Sequence, residues 1–227
     1  MYDEGVIKFT YRHENRDLPA DIYGELTNRL IAWRRIMSET ALVGRDPARY
    51  GGAAYGNLSG RMGPFPGQKG ERRFVISGTA TGGKDCVSAR DFCVVDSYAH
   101  ARNFVVSKGP IEPSSESMTH GSIYDLDARI RFVFHAHTPM IWQRARELNI
   151  PMSRATVPYG TPEMAMEVTR LYRQTHLADA KILAMGGHED GIIVFGESAE
   201  EVGGILLKYL ARAYEKQAEQ DGLLCKV

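Results

Sequence analysis

Cysteine is scarce in this chain. The three present, Cys86, Cys93 and Cys225, show no paired metal-binding spacing and leave one over for any disulfide scheme. A reducing, cytoplasmic setting is the plain inference. Net charge is missing too: 28 basic residues meet 28 acidic ones, and the isoelectric point is near 7.1. No global field is then available to hold nucleic acid or an anionic membrane. No apolar run approaches the roughly 20 residues of a membrane span. The opening Met-Tyr-Asp-Glu-Gly has neither the basic nor the apolar part of a secretory signal. Repeats and low-complexity tracts are absent as well. One continuous domain over residues 1–227 is expected, long enough to bury roughly 70–75% of its unfolded surface.

Histidine carries the chemistry. The run Phe132-Val133-Phe134-His135-Ala136-His137 reads as a strand, and residues i and i+2 of a strand share a face. His135 and His137 therefore present two imidazoles side by side at a strand end, where open α/β sheets place their ligands. Packing alone also produces such pairs. As half of a metal site they need a third donor, since catalytic zinc commonly takes three protein ligands and keeps one position open. Seven histidines are available. His13, His100 and His176 lie in polar, charge-rich stretches and read as solvated surface groups. His120 falls four residues after Glu116 on one helical face, as a hydrogen-bonded pair or as two ligands. His188 sits in Met185-Gly186-Gly187-His188-Glu189-Asp190-Gly191, between two apolar runs; the glycines allow a tight turn that presents the imidazole at a strand end. His135, His137 and His188 are the favoured set.

Periodicity supplies the frame. Ile22, Leu26, Leu30, Trp33 and Met37 mark one face of a long amphipathic helix beginning near Pro19. Val6–Arg12 reads as a short strand or an ordered lead-in. Strands are expected at Tyr55–Ser59, Phe74–Ser77, Phe92–Ser97, Asn103–Lys108, Arg131–His137, Lys181–Met185 and Ile192–Phe195. Helices are expected at Ser115–Ala128, Met140–Leu148, Pro162–Gln174 and Ala199–Ala218. The last shows Val202, Ile205, Leu206, Tyr209, Leu210 and Tyr214 on one side. Early hairpins followed by alternating strands and helices imply a mixed sheet flanked by helices, not a purely parallel one.

Three short segments suit an anion. Gly56-Asn57-Leu58-Ser59-Gly60-Arg61 offers an amide, a hydroxyl and a guanidinium. Ser77-Gly78-Thr79-Ala80-Thr81-Gly82-Gly83 follows a strand with exposed N–H groups that can form a nest. Ser114-Ser115 caps the helix carrying Glu116 and aims the positive end of its dipole at whatever sits there. Each segment is equally readable as an ordinary turn or cap.

Together, Gly-Asn-Leu-Ser-x-Arg, Ser-Gly-Thr, Pro-Ser-Ser-Glu-x3-His-x3-Tyr, His-x-His-x-Pro and a later Gly/His/Gly turn occur in an order that resembles the class II aldolase/adducin family. The resemblance runs from about Trp33 to the final helix. It implies an α/β fold, a three-layer α/β/α arrangement around a mixed, largely antiparallel central sheet, and a homotetramer with active sites near subunit interfaces. It implies a zinc site, or one for another divalent transition metal such as Mn2+ or Co2+, held by His135, His137 and His188. Glu116 matches the carboxylate that is a ligand at rest and a general acid/base once substrate displaces it. Asn57, Ser77, Gly78, Ser114 and Ser115 match the positions that bind a substrate phosphate.

Two departures from the family pattern stand out. Glu189 and Asp190 separate His188 from Gly191, where a glycine usually follows at once; they read as a solvated turn in preference to partners that hold the imidazole. The stretch from the histidine pair to Val157-Pro158-Tyr159-Gly160 is short, so the tyrosine used elsewhere as proton donor has no evident match. Tyr159 is the substitute to consider, beside a reading as a packing residue, and Tyr209 reads as core or interface. The activity implied is retro-aldol cleavage of a sugar phosphate or related hydroxy-ketone through a metal-stabilised enediolate. Epimerisation and dehydration would use the same groups. Adducin-like members that serve as scaffolds lack the ligands, whereas all three histidines are present here.

Overall fold

The computed structural model describes residues 5–222. Its elements in chain order are β1 (Thr10–Asn15), α1 (Ala20–Glu39), β2 (Gly44–Arg45), β3 (Ala54–Tyr55), β4 (Asn57–Arg61), β5 (Phe74–Ser77), β6 (Phe92–Ala99) and β7 (Phe104–Gly109). They continue with α2 (Ser117–Leu126), β8 (Phe132–His137), α3 (Pro139–Trp142), α4 (Pro162–Gln174), α5 (Leu177–Ala180), β9 (Ile182–Ala184), β10 (Gly191–Gly196) and α6 (Ala199–Gln220). Eight strands form one sheet in the order β1-β7-β6-β5-β4-β8-β10-β9, and β2 pairs β3 separately. Within the large sheet β1 runs parallel to β7, and the remaining pairs are antiparallel.

The strand pattern explains the layers. Along β8 the side chains alternate, so Phe132, Phe134 and Ala136 enter one core and Val133 the other. A sheet that is apolar on both faces must be covered on both. Leu30 and Met37 of α1, Ile141 of α3, and Val202 and Leu206 of α6 cover the first face. Met118 and Tyr124 of α2, Met164 and Val168 of α4, and Leu177 of α5 cover the second. The expected three-layer α/β/α arrangement with a mixed, mainly antiparallel sheet is thus present. His135 and His137 follow Val133 at even spacing and project towards α2. Among the described residues no helix is long and apolar enough to cross a membrane. Cys86 and Cys93 are free thiols; Cys225 lies outside the described residues.

Local expectations needed correction in four places. On α1 the buried line is Tyr23, Thr27, Leu30, Arg34 and Met37, while Ile22 is 62% exposed. Arg34 turns inward on this rotated face and donates to the carbonyls of Thr81, Gly82 and Lys84. The Met140–Leu148 helix is reduced to Pro139–Trp142. Turns follow it, with Arg144 and Ala145 bonding three residues back rather than four. The first strand begins at Thr10 and runs to Asn15, leaving residues 5–9 as an irregular lead-in. On α6, Tyr214 is 54% exposed.

Candidate metal and anion site

Three imidazoles meet at the end of β8. His135 and His137 share a strand face, and His188 arrives from the β9–β10 turn. All three are buried. Nε2 of His137 lies 3.0 Å from Nε2 of His135 and 3.1 Å from Nε2 of His188. The Nδ1–H of His135 donates to the carbonyl of Ile192 at 3.2 Å, which directs the Nε2 lone pair into the cluster. Gly191, the strand partner of His137, makes the approach of His188 possible. A Cβ at 191 would stand 2.7 Å from Cδ2 of His188 and 3.3 Å from Cε1 of His135.

Burial sets the charge state of these rings. It lowers the pKa of His135 to about 4. His137 and His188 are pushed well below the ordinary range by burial first and by neighbouring imidazoles second. The cluster is therefore neutral at pH 7 and rich in lone pairs. At ligand bonds of about 2.1 Å, nitrogens grouped round one cation lie about 3.0–3.4 Å apart. The observed separations and the donor chemistry fit a divalent transition metal, as do the three side chains themselves, which form a metal-competent group.

Glu116 stands beside them at the N-terminus of α2. Its Oε1 is 3.7 Å from Nε2 of His188, and neither carboxylate oxygen has a hydrogen-bond partner among the described residues. Burial raises its pKa to about 7. A cation beside it would act in the opposite direction. His120, one turn along, is held away from the cluster. Its Nδ1 lies 2.7 Å from the Ser59 hydroxyl, which is also 2.7 Å from the Tyr124 hydroxyl.

The anion segments converge only in part. Asn57, Gly78, Ser114 and Ser115 line one small cavity with Gly5 and Thr79. Asn57 is the strand partner of His135, and its buried Oδ1 has no hydrogen-bond partner among the described residues. Ser114 accepts from the Glu116 N–H at 3.3 Å, so it caps the turn that aims Glu116. Ser77 is not on the cavity wall. Its hydroxyl accepts from the Leu58 N–H at 3.1 Å and ties β5 to β4.

Several neighbours were not legible beforehand. Asp190 is buried rather than solvated, because the Tyr50 hydroxyl donates to it at 2.6 Å and Arg49 pairs with it at 3.2 Å. Tyr50 in turn packs edge-on against the ring of His137, 5.0 Å away. Tyr50 and Asp190 are 140 positions apart in sequence, and no local pattern links them. Tyr159 is buried, with its ring 4.3 Å from that of His188. His13 and His100 are half-buried, bonded to Ser107 and to Asp125 respectively; His176 is exposed as expected. A larger cleft lies elsewhere, between α2 and α4, bordered by Lys69, His100, Asp125, Met166 and Arg173. It contains none of the clustered histidines.

The fold has known counterparts. An L-fuculose 1-phosphate aldolase shares 18% identity over 93% of this chain and 91% of its own, with a TM-score of 0.60. The L-fuculose-1-phosphate aldolase from Thermus thermophilus shares 17% over 87% and 95%, also at 0.60. A sugar-phosphate aldolase from Thermotoga maritima shares 12% over 90% and 99%, again at 0.60. At such identities the likeness concerns the fold. No curated protein matched by sequence. Residues 46–214 match the family model described as class II aldolase and adducin N-terminal domain. With most of its length inside that match, the chain belongs to the class II aldolase and adducin family.

Proposed function

We propose that this protein is a divalent-metal-dependent aldolase that cleaves a sugar phosphate or related hydroxy-ketone. His135, His137 and His188 would hold the metal, zinc in first place for an all-imidazole set, with Mn2+ or Co2+ also accepted. Glu116 would complete the set at rest. The observation that carries this reading is the pairing of a neutral, lone-pair-rich imidazole cluster with a buried carboxylate 3.7 Å away that has no hydrogen-bond partner among the described residues. The bound cation would supply a Lewis acid for the carbonyl and hydroxyl oxygens of the substrate.

The remaining roles fall to the chain itself. Retro-aldol cleavage takes the proton from the hydroxyl β to the ketone and breaks the intervening C–C bond. Negative charge then develops at the ketone oxygen until the ketone fragment is protonated at carbon. Glu116 is the group to accept the hydroxyl proton and return it to that carbon. Asn57, Gly78, Ser114 and Ser115 would cradle the phosphate through amide, hydroxyl and backbone N–H donors. Ser77 would act indirectly by holding β4 against β5. The assembly is proposed to be a cytoplasmic homotetramer.

Elemental analysis of the purified protein should find near-stoichiometric divalent transition metal. A panel of ketose 1-phosphates should include one that releases dihydroxyacetone phosphate and an aldehyde. A His135→Ala/His137→Ala double variant that kept its metal would overturn the site, and recovery of an epimer instead of two fragments would reassign the reaction.

A further inference from the structure

The residues before β1 precede the segment matched by the family model, yet they form part of the wall of the site. Gly5 borders the same cavity as Asn57, Gly78, Ser114 and Ser115. At Val6 the N–H donates to the Tyr159 hydroxyl and the carbonyl accepts from it, both at 3.2 Å. The Lys8 ammonium sits 3.7 Å over the centre of the Tyr159 ring, and that ring is 4.3 Å from the ring of His188. The two contacts put Nζ of Lys8 at most about 8 Å from the centre of the His188 ring. Gly160 permits the junction. Its φ is +67°, and a Cβ there would come within 2.9 Å of the Ser115 carbonyl and 3.9 Å of the Lys8 Cβ.

Charge balance gives this placement a consequence. Among the described residues every one bordering the anion cavity is uncharged, and the chain as a whole has no net charge to attract an anion. Polar hydroxyls and N–H groups can orient a phosphate, but a dianion leaving water also needs positive charge nearby. Lys8 brings one on a half-buried stem that passes Gly160 and ends over the Tyr159 ring.

We propose that Lys8 is a specificity-determining residue: its ammonium, seated on Tyr159 beside the histidine cluster, binds the anionic group of the substrate and selects phosphorylated hydroxy-ketones over neutral ones. This deepens the aldolase reading and rests on it. It also makes the segment ahead of β1 a part of the active site.

Inorganic phosphate is the probe, titrated calorimetrically into metal-loaded and metal-free protein at fixed ionic strength. Lys8→Met should weaken phosphate binding about 10-fold to 100-fold, the worth of one charge-assisted hydrogen bond. Lys8→Arg should stay within about threefold of wild type, because the positive charge is kept. Metal content and melting temperature should be unchanged in both variants. Wild-type affinity in Lys8→Met, an equal loss in Lys8→Arg, or no phosphate binding by wild type would each overturn the inference. Failure of the aldolase reading would appear separately, as wild-type protein without bound metal, while the metal-free titrations would still report on Lys8.

Discussion

Asn57 and His135 are directly opposite one another in the β4–β8 ladder. Side chains at such paired positions project from the same face. One strand pair thus brings an amide that borders the anion cavity next to an imidazole of the histidine cluster. The β4–β8 register thus fixes how far that amide stands from the imidazole, while the rest of the cavity wall and His188 come from loops.

Glu116→Gln should retain fold and metal but lose turnover by ~10²–10⁴, the usual contribution of a general acid/base. Steady-state assay and elemental analysis on the same sample check it. Unchanged turnover would remove Glu116 from the mechanism.

The same substitution has a signature without metal. The folded pKa of Glu116, about 7, exceeds the ordinary 4.5. Its contribution is therefore present below pH 4.5 and lost as pH rises towards 7. His135 behaves oppositely: its folded pKa of about 4 is below the ordinary 6.5, so stability falls as pH drops from 6.5 to 4, by about 3 kcal/mol in all. In the overlap the two effects oppose each other. Between pH 4.5 and 6.5, metal-free Glu116→Gln should gain stability with pH more steeply than wild type, by about 1.4 kcal/mol per pH unit. Urea unfolding at several pH values measures both slopes; parallel lines would refute the assignment.

Gly191→Ala should damage the cluster specifically. The added Cβ would meet the His188 ring at 2.7 Å, and overpacking of this kind costs about 1–3 kcal/mol. Metal affinity, read by competition with a chelating dye, should fall by roughly 5-fold to 150-fold. An undiminished affinity would show that His188 need not lie against Gly191.

Tyr50→Phe removes the 2.6 Å donor to buried Asp190. Leaving that carboxylate short of a partner should destabilise the fold by about 1–3 kcal/mol. Arg49 keeps Asp190 in place, so the metal should remain bound. Thermal unfolding with metal analysis tests both halves, and loss of metal at unchanged stability would make Tyr50 part of the site proper.

Ser77→Ala and Ser114→Ala should part company. Ser77 bonds the Leu58 backbone, whereas Ser114 borders the cavity. The first variant should lose about 1 kcal/mol of stability and bind phosphate normally; the second should weaken phosphate binding. Calorimetric titration and urea unfolding of each would reveal a reversal.

Wherever function depended on local order, the sequence was sufficient. The i, i+2 histidines, the strand at Phe74–Ser77 and the helix at Pro162–Gln174 are all written in neighbouring residues, because backbone periodicity is a local property. Tertiary structure alone decided three further matters. It gathered His188 with the strand pair and set Nδ1 of His120 against the Ser59 hydroxyl. It buried Asp190 beneath Tyr50, a partner drawn from the short turn ahead of β3. It also folded Lys8 back over Tyr159, 151 positions away. Such contacts are made by strand register and chain reversal, which join residues that share no pattern along the chain.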